Sequence, residues 1–198
     1  MPVSDPDSPL LTDRFDQALA YASRLHRTQC RKGTAIPYVS HLLAVAAIAL
    51  ENGADEDQAI AALLHDAVED QGGLAQLEAI RARFGHDVAA MVADCTDAVE
   101  EPKPEWRPRK EAYIASLATK APGSLAVSLA DKTHNASAIN ADIRALGPLV
   151  WERFNGRKAG TLWYYRALAD AFAHLLPGAA AARFAREVDE MEELAERD

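Results

Sequence analysis

The chain has 198 residues, 49% hydrophobic and 26% charged, which fits one soluble globular domain and excludes a disordered chain. Its formal net charge of −9 argues against nucleic-acid binding, which needs a basic stripe, but allows a small anionic ligand at a local cluster of cations. No apolar run reaches the roughly 20 residues that cross a bilayer, so no membrane partner is expected. Residues 1–11 lack a signal-peptide pattern and are predicted to be a flexible leader of a cytoplasmic protein.

The spacing of apolar residues predicts an all-α fold of about ten helices. Thr12 is the predicted N-cap of the first helix, and Pro122 opens a buried helix that turns polar from Asp131 onward. We expect a single domain over residues 12–198, with a core at 12–145, C-terminal helices at 146–198 and a proline-rich connector at 100–108. The other predicted helices lie at about 12–26, 40–52, 55–69, 74–84, 87–96, 109–118, 139–146, 149–154 and 161–176, with a last one from 179.

The segment LLHDAVED, residues 63–70, carries an unusual density of charge for a helix that should face the core. On a continuous helix, Glu69 lies one turn after His65 and Asp70 one turn after Asp66. Burying carboxylates on such ridges is costly unless a cation lies opposite them. A metal ion would supply that cation.

Four residues on successive predicted helices are candidate metal ligands: His41, His65, Asp66 and Asp131. Each has an ordinary alternative role when taken alone, as a polar residue at a helix start, a cap or a salt-bridge partner. Together, two imidazoles and two carboxylates suit Mn²⁺, Fe²⁺ or Zn²⁺ and are poor ligands for Ca²⁺. The set therefore predicts a transition-metal site that leaves coordination positions open for water.

The order H…HD…D along the chain resembles the HD superfamily of metal-dependent phosphohydrolases. The segments RKGTAIPYVSH, HDAVED and LADKTHN look like the hydrolase domain of the Rel/SpoT alarmone enzymes and their stand-alone small alarmone hydrolase relatives, over about residues 12–145. The resemblance implies an HD-domain helical bundle with one Mn²⁺ held by the four ligands. It also implies that Glu69 and Asp70 orient and deprotonate the attacking water.

The same resemblance implies a set of substrate-binding residues. Asn135 matches an Asn that contacts the ribose and the 3′ side of the nucleotide, with a helix cap as the alternative. The expected contacts to the base and phosphates are basic side chains, for which solvated surface charge is the alternative reading: Arg31, Lys32, Arg109, Lys110 and Lys132.

The leading functional hypothesis is a Mn²⁺-dependent 3′-pyrophosphohydrolase of nucleotide alarmones, ppGpp or ppApp or both, that releases pyrophosphate. One alternative is an HD-type nucleotidase or phosphatase of other nucleotides, and another is a non-catalytic nucleotide-binding module. The sequence leaves open the preferred purine, the native metal and the oligomeric state. It is compatible with a homo-oligomer. It also leaves open the role of the aromatic triplet Trp163, Tyr164 and Tyr165.

Overall fold

The structure is a computed structural model that describes residues 10–97 and 105–197. Within those ranges the chain forms ten α-helices, two 3₁₀-helices and no strand, which confirms the all-α prediction. Most of the predicted leader, and residues 100–104 of the predicted connector, lie outside the described residues. The helices are α1 (Asp13–Leu25), α2 (Val39–Glu51), α3 (Glu56–Leu64), α4 (Ala67–Gln71), α5 (Gly73–Phe84), α6 (His86–Cys95), α7 (Trp106–Ser116), α8 (Pro122–Leu146), α9 (Arg157–Leu175) and α10 (Ala179–Glu196), with 3₁₀-helices at Leu117–Thr119 and Gly147–Arg153.

Helix α8 is shared by two hydrophobic cores. Val127 and Ala130 pack into the first core with α1 to α6. Leu129 and Ile139 pack into the second core with α7, α9 and α10. Because Asp131 lies on this shared helix, α8 brings a polar site to the junction of the two cores. No helix within the described residues is long and apolar enough to span a bilayer.

Local signals in the sequence account for several helix ends. The Thr12 side chain accepts a hydrogen bond from the Arg14 backbone N–H, which confirms the predicted N-cap of α1. Asp55 and Gln58 form a reciprocal capping box at the start of α3. Gly53 follows α2 with a φ of +86°, a conformation that other residues rarely adopt.

The prediction of one continuous helix over 55–69 is wrong, because the chain breaks at the HD pair itself. Helix α3 ends at Leu64 and α4 begins at Ala67, with Asp66 at φ −95° and ψ −2°. Consecutive residues on a regular helix project about 100° apart and cannot both face one point. The break allows His65 and Asp66 to direct their side chains to the same site.

Other predicted boundaries also shift. The predicted separate helix at 139–146 is wrong, because α8 runs without interruption through a polar stretch that contains no Gly or Pro after its first turn. Helix α2 begins at Val39, one residue before its predicted start, and the segment predicted as a helix at 149–154 is instead 3₁₀. Helices α7 and α9 begin earlier than predicted, at Trp106 and Arg157.

Candidate active site

The structure brings the four predicted metal ligands together from four helical elements. His41 lies in the first turn of α2, His65 and Asp66 lie between α3 and α4, and Asp131 lies in the middle of α8. The Nε2 atom of His41 is 3.4 Å from Oδ2 of Asp66 and 3.2 Å from Oδ1 of Asp131. The Nε2 atom of His65 is 3.0 Å and 3.5 Å from the same two oxygens.

The imidazole–carboxylate separations suit a shared metal ion. His41, His65 and Asp66 offer ligand atoms that all lie within 4.8 Å of one another, with Asp131 beside this group of three. Donor atoms about 2.1 Å from one ion lie roughly 3.0 to 3.4 Å apart when their bonds meet at right or tetrahedral angles. His65 is buried, and its Nε2 has no hydrogen-bond partner among the described residues. Its Nδ1 lies 2.8 Å from the Ala62 carbonyl, which can only accept, so Nδ1 carries the proton and Nε2 keeps its lone pair for an ion.

The charges of the cluster also favour a cation. Burial works against charging His65, but Asp66 and Asp131 outweigh it and raise the pKa of this imidazole well above its usual value. Without an ion Nε2 therefore also holds a proton between the two carboxylates, and a metal ion would replace that proton and use the lone pair. Burial likewise opposes ionisation of Asp131, but Lys132 and His65 hold its pKa well below the ordinary range. Two ionised carboxylates therefore face the point between the imidazoles.

His134 lies behind His41. Their Nδ1 atoms are 2.8 Å apart, so one ring must donate and the other accept. Burial, then the neighbouring His41 and Arg31, lower the pKa of His134 to about 4, which keeps it neutral and able to accept. In the tautomer in which His134 accepts at Nδ1, His41 carries its proton on Nδ1 and keeps Nε2 for the ion, so that His134 supports a ligand without being one.

Glu69 and Asp70 follow the ligands on the short helix α4. Glu69 is half-buried and lines the neighbouring cavity. Asp70 lies at the surface, and its pKa is raised by partial burial and by Asp66. A carboxylate with a raised pKa is better matched to accepting a proton near neutral pH than an ordinary one.

Two side chains that the sequence analysis did not select donate hydrogen bonds to the carboxylates of Asp66 and Asp70. The Tyr38 hydroxyl donates to Oδ2 of Asp66 at 2.6 Å, and the Gln29 amide donates to Oδ2 of Asp70 at 2.8 Å. Both residues lie in or next to the segment RKGTAIPYVSH, which was their only sequence signal. Tyr38 lies 28 residues from Asp66 along the chain, and Gln29 lies 41 residues from Asp70, so the sequence does not indicate either contact.

A cavity of about 510 Å³ opens beside the metal-ligand cluster. Tyr38 lines it and contacts Asp66, whereas Lys132 and Asn135 line it and contact Asp131. The cavity therefore lies next to the candidate ligands, and the lining residues Tyr38, Lys132 and Asn135 contact two of them, Asp66 and Asp131. All six predicted substrate-binding residues line it: Arg31, Lys32, Arg109, Lys110, Lys132 and Asn135.

Hydrogen bonds hold several of these groups in place before any ligand binds. Arg31 donates to Oδ1 of Asn135 at 3.1 Å, and Asn135 donates to Oδ1 of Asp131 at 2.6 Å. Lys132 donates to Oδ2 of Asp131 at 2.7 Å. A chain of contacts thus links the loop before α2 to the metal-ligand cluster through the cavity wall.

The far wall of the cavity comes from the C-terminal half of the chain. Tyr164 and Tyr165 are buried in the second core and also line the cavity, whereas Trp163 is half-buried with the Arg107 guanidinium 3.3 Å from its ring centre. The Tyr164 hydroxyl is buried without a hydrogen-bond partner among the described residues. Two further cavity residues that the sequence analysis missed are Trp106 and Arg153.

The chain is similar to several known proteins over most of its length. A sequence profile of the HD domain matches residues 18–161. Guanosine-3′,5′-bis(diphosphate) 3′-pyrophosphohydrolase MESH1 of Homo sapiens is 36% identical over 129 residues, 63% of this chain and 68% of that protein. The GTP pyrophosphokinase of Streptomyces coelicolor is 34% identical over 160 residues, 79% of this chain and 17% of that protein. A solved structure described as a metazoan ortholog of SpoT that hydrolyses ppGpp has a TM-score of 0.72 at 28% identity, covering 94% of this chain and 96% of that one.

Proposed function

This chain belongs to the HD-domain family, and from that premise we propose that it is a 3′-pyrophosphohydrolase of nucleotide alarmones. Its substrates would be ppGpp, ppApp or both, hydrolysed in the cytoplasm with release of pyrophosphate. The observation that carries the proposal is the cavity rich in basic side chains that lies beside the metal-ligand cluster. The named activity of the MESH1 relatives supports the same substrate class.

We propose one Mn²⁺ per chain, held by His41, His65, Asp66 and Asp131. The mixed nitrogen and oxygen donor set supports this choice, although it also suits Fe²⁺ and Zn²⁺. A bound divalent ion would supply positive charge beside the reacting phosphate and lower the pKa of a water molecule.

The carboxylates of α4 would position the attacking water and accept its proton. Glu69 and Asp70 orient it and take up its proton as its oxygen bonds to the phosphorus on the ribose 3′-oxygen. The bond between that phosphorus and the 3′-oxygen breaks, pyrophosphate leaves, and the 3′-oxygen takes up a proton. Basic side chains of the cavity would neutralise the charge that develops on the phosphates.

The charge distribution supports an anionic nucleotide as the substrate. The chain as a whole carries a formal charge of −9, whereas the cavity is lined by six basic side chains and two acidic ones. A local positive region within a negative protein focuses small anions on the cavity. The lining cations are Arg31, Lys32, Arg109, Lys110, Lys132 and Arg153, and the lining acids are Glu69 and Asp142.

The test is to incubate the Mn²⁺-loaded protein with ppGpp and ppApp separately and to separate the products by anion-exchange chromatography. We expect a nucleoside 5′-diphosphate and pyrophosphate. Glu69→Gln should abolish most of the turnover. Glu78→Gln is the matched control, because Glu78 is exposed on α5 and pairs with Arg81 at 2.7 Å, away from the cavity.

Three results would contradict the proposal in different ways. Orthophosphate released from other nucleotides, with both alarmones intact, would indicate an HD-type nucleotidase. Tight nucleotide binding without turnover would indicate a binding module. Turnover that survives unchanged in Glu69→Gln would remove the proposed role of that carboxylate.

A further inference from the structure

The loop between α1 and α2 contacts two carboxylates, one in the HD pair itself and one on α4. Gln29 donates to Asp70 and Tyr38 donates to Asp66. We propose that Gln29 and Tyr38 are positioning residues: Tyr38 fixes the ligand oxygen of Asp66, and Gln29 fixes the carboxylate of Asp70. The role of Tyr38 concerns metal binding alone, whereas the catalytic consequence for Asp70 rests on the proposed function.

The orientation of the Gln29 amide is determined by its partners. Its Oε1 accepts from Nε2 of Gln71 at 2.6 Å and lies 2.7 Å from Nδ1 of His26. Its Nε2 therefore faces Oδ2 of Asp70 at 2.8 Å, where a carboxylate can only accept. A flipped amide would set oxygen against oxygen at Asp70 and NH₂ against NH₂ at Gln71, so the donor to Asp70 is fixed in place.

The Tyr38 hydroxyl is held as firmly. Its ring stacks on His26 with centroids 5.3 Å apart and an angle of 18°, and it meets His41 edge-on at 5.5 Å. Burial and the Asp66 carboxylate raise the pKa of Tyr38 far above its usual value, so the hydroxyl keeps its proton and remains a donor. It donates to Oδ2 of Asp66, the oxygen that faces both candidate imidazole ligands.

Backbone hydrogen bonds join the two residues into one unit. The Tyr38 N–H donates to the Gln29 carbonyl at 2.9 Å, and the Arg31 N–H donates to the Ile36 carbonyl at 2.9 Å. Gln29 and Tyr38 are therefore paired across the base of the loop. Because one braced loop supports both carboxylates, it sets where the candidate ion and the proton acceptor lie relative to each other.

Tyr38→Phe tests the first half of the proposal without any substrate. Removing the hydroxyl should weaken Mn²⁺ binding to the metal-free protein, measured by isothermal titration calorimetry, by about 10- to 100-fold, the usual effect of losing a group that orients a ligand. Tyr21→Phe is the matched control, because its hydroxyl accepts from Gln76 at 2.7 Å between α1 and α5. Equal Mn²⁺ affinity in Tyr38→Phe and the unaltered protein would overturn this role.

Gln29→Met tests the second half. The charged groups around Asp70 are Asp66 and Glu69, which raise its pKa, and His26, which lowers it along with the Gln29 hydrogen bond. Loss of the Gln29 donor should therefore raise the Asp70 pKa further, as followed by ¹³C NMR titration of the metal-free protein. If alarmones are hydrolysed, kcat should fall about 10-fold at unchanged KM, and the acidic limb of the pH–rate profile should move to higher pH.

Two further variants keep this test decisive. Gln76→Met is the matched control and should leave the Asp70 pKa and kcat unchanged. If Gln29→Met does not fold, Gln29→Glu keeps the acceptor for Gln71 but sets a carboxylate against Asp70, which should also raise the Asp70 pKa. An unchanged Asp70 pKa in either folded Gln29 variant would overturn the proposal, whether or not alarmones prove to be the substrate.

Discussion

Asp131→Asn should uncouple the thermal stability of the protein from Mn²⁺. The substitution keeps the shape of the side chain but removes one of the two negative charges that face the candidate imidazole ligands. A ligand that binds only the folded state stabilises it by RT ln(1 + [L]/Kd), which is about 2.7 kcal/mol when the ion is at 100 times its Kd. For a chain of this length, about 1 kcal/mol shifts the Tm by roughly 2 to 4 °C.

The unaltered protein should therefore gain roughly 5 to 11 °C in Tm at that Mn²⁺ concentration. If Asp131→Asn weakens binding about 100-fold, the same concentration only equals the new Kd. The stabilisation then falls to RT ln 2, about 0.4 kcal/mol, and the gain in Tm to roughly 1 °C.

Differential scanning calorimetry with Mn²⁺ and with a chelator gives the two values. The Mn²⁺-induced shift is the quantity to compare, because Asp131→Asn also removes the partner of Lys132 and lowers the metal-free Tm by itself. Asp87→Asn, at an exposed position in the first turn of α6, is the matched control and should keep the full shift. A full shift in Asp131→Asn, or none in the unaltered protein at saturating Mn²⁺, would refute the assignment of Asp131 as a ligand.

Two other substitutions test the cavity walls by chemical denaturation. Gly156→Ala should lower the free energy of unfolding by about 1 to 3 kcal/mol, because the added methyl carbon would lie 2.6 Å from the Trp106 ring, and Trp106→Phe should relieve part of that loss. Asp97→Asn should cost about 2 kcal/mol, because Asp97 is the shared acceptor of Arg109 and Lys110, all three being largely shielded from solvent. If Gly156→Ala lowers the free energy of unfolding by the same amount in the Trp106→Phe background, the packing assignment is contradicted. An Asp97→Asn variant as stable as the unaltered protein would contradict the charge assignment.

The sequence allowed prediction of residues whose roles depend on local spacing. Helical periodicity is sufficient to indicate an all-α chain, and the clustered charges of HDAVED stand out because a core-facing helix should not carry them. Thr12 is likewise a local signal, since a cap depends on residues within one turn. The cavity residues that belong to the three quoted segments were selected differently, by the resemblance of those segments to the Rel/SpoT hydrolase domain.

Contacts between distant segments could not be predicted in this way. Gln29 and Tyr38 have no spacing relative to Asp70 and Asp66 that a helix or turn would explain, and only the packing of α1 and α2 against α3 brings them together. Arg153 likewise enters the cavity from a 3₁₀-helix and contacts Asp142 across the turn after α8. Amphipathic patterns identify which face of an element is buried, but they do not say which element covers it.

The wrong break at residue 139 shows that polarity does not by itself end a helix. In α8, a polar stretch was interpreted as a helix end, although its polar side chains face a site and the helix is continuous over its 25 residues. Its continuity matters because His41, His65 and Asp66 belong to elements of the first core, whereas Arg109, Lys110 and Tyr164 belong to elements of the second. Helix α8 is packed in both cores and carries Asp131, Lys132 and Asn135 between these groups. A rigid helix at this junction therefore fixes the distance between the candidate ion and the cations of the opposite wall, and a nucleotide that bridges them must match that distance.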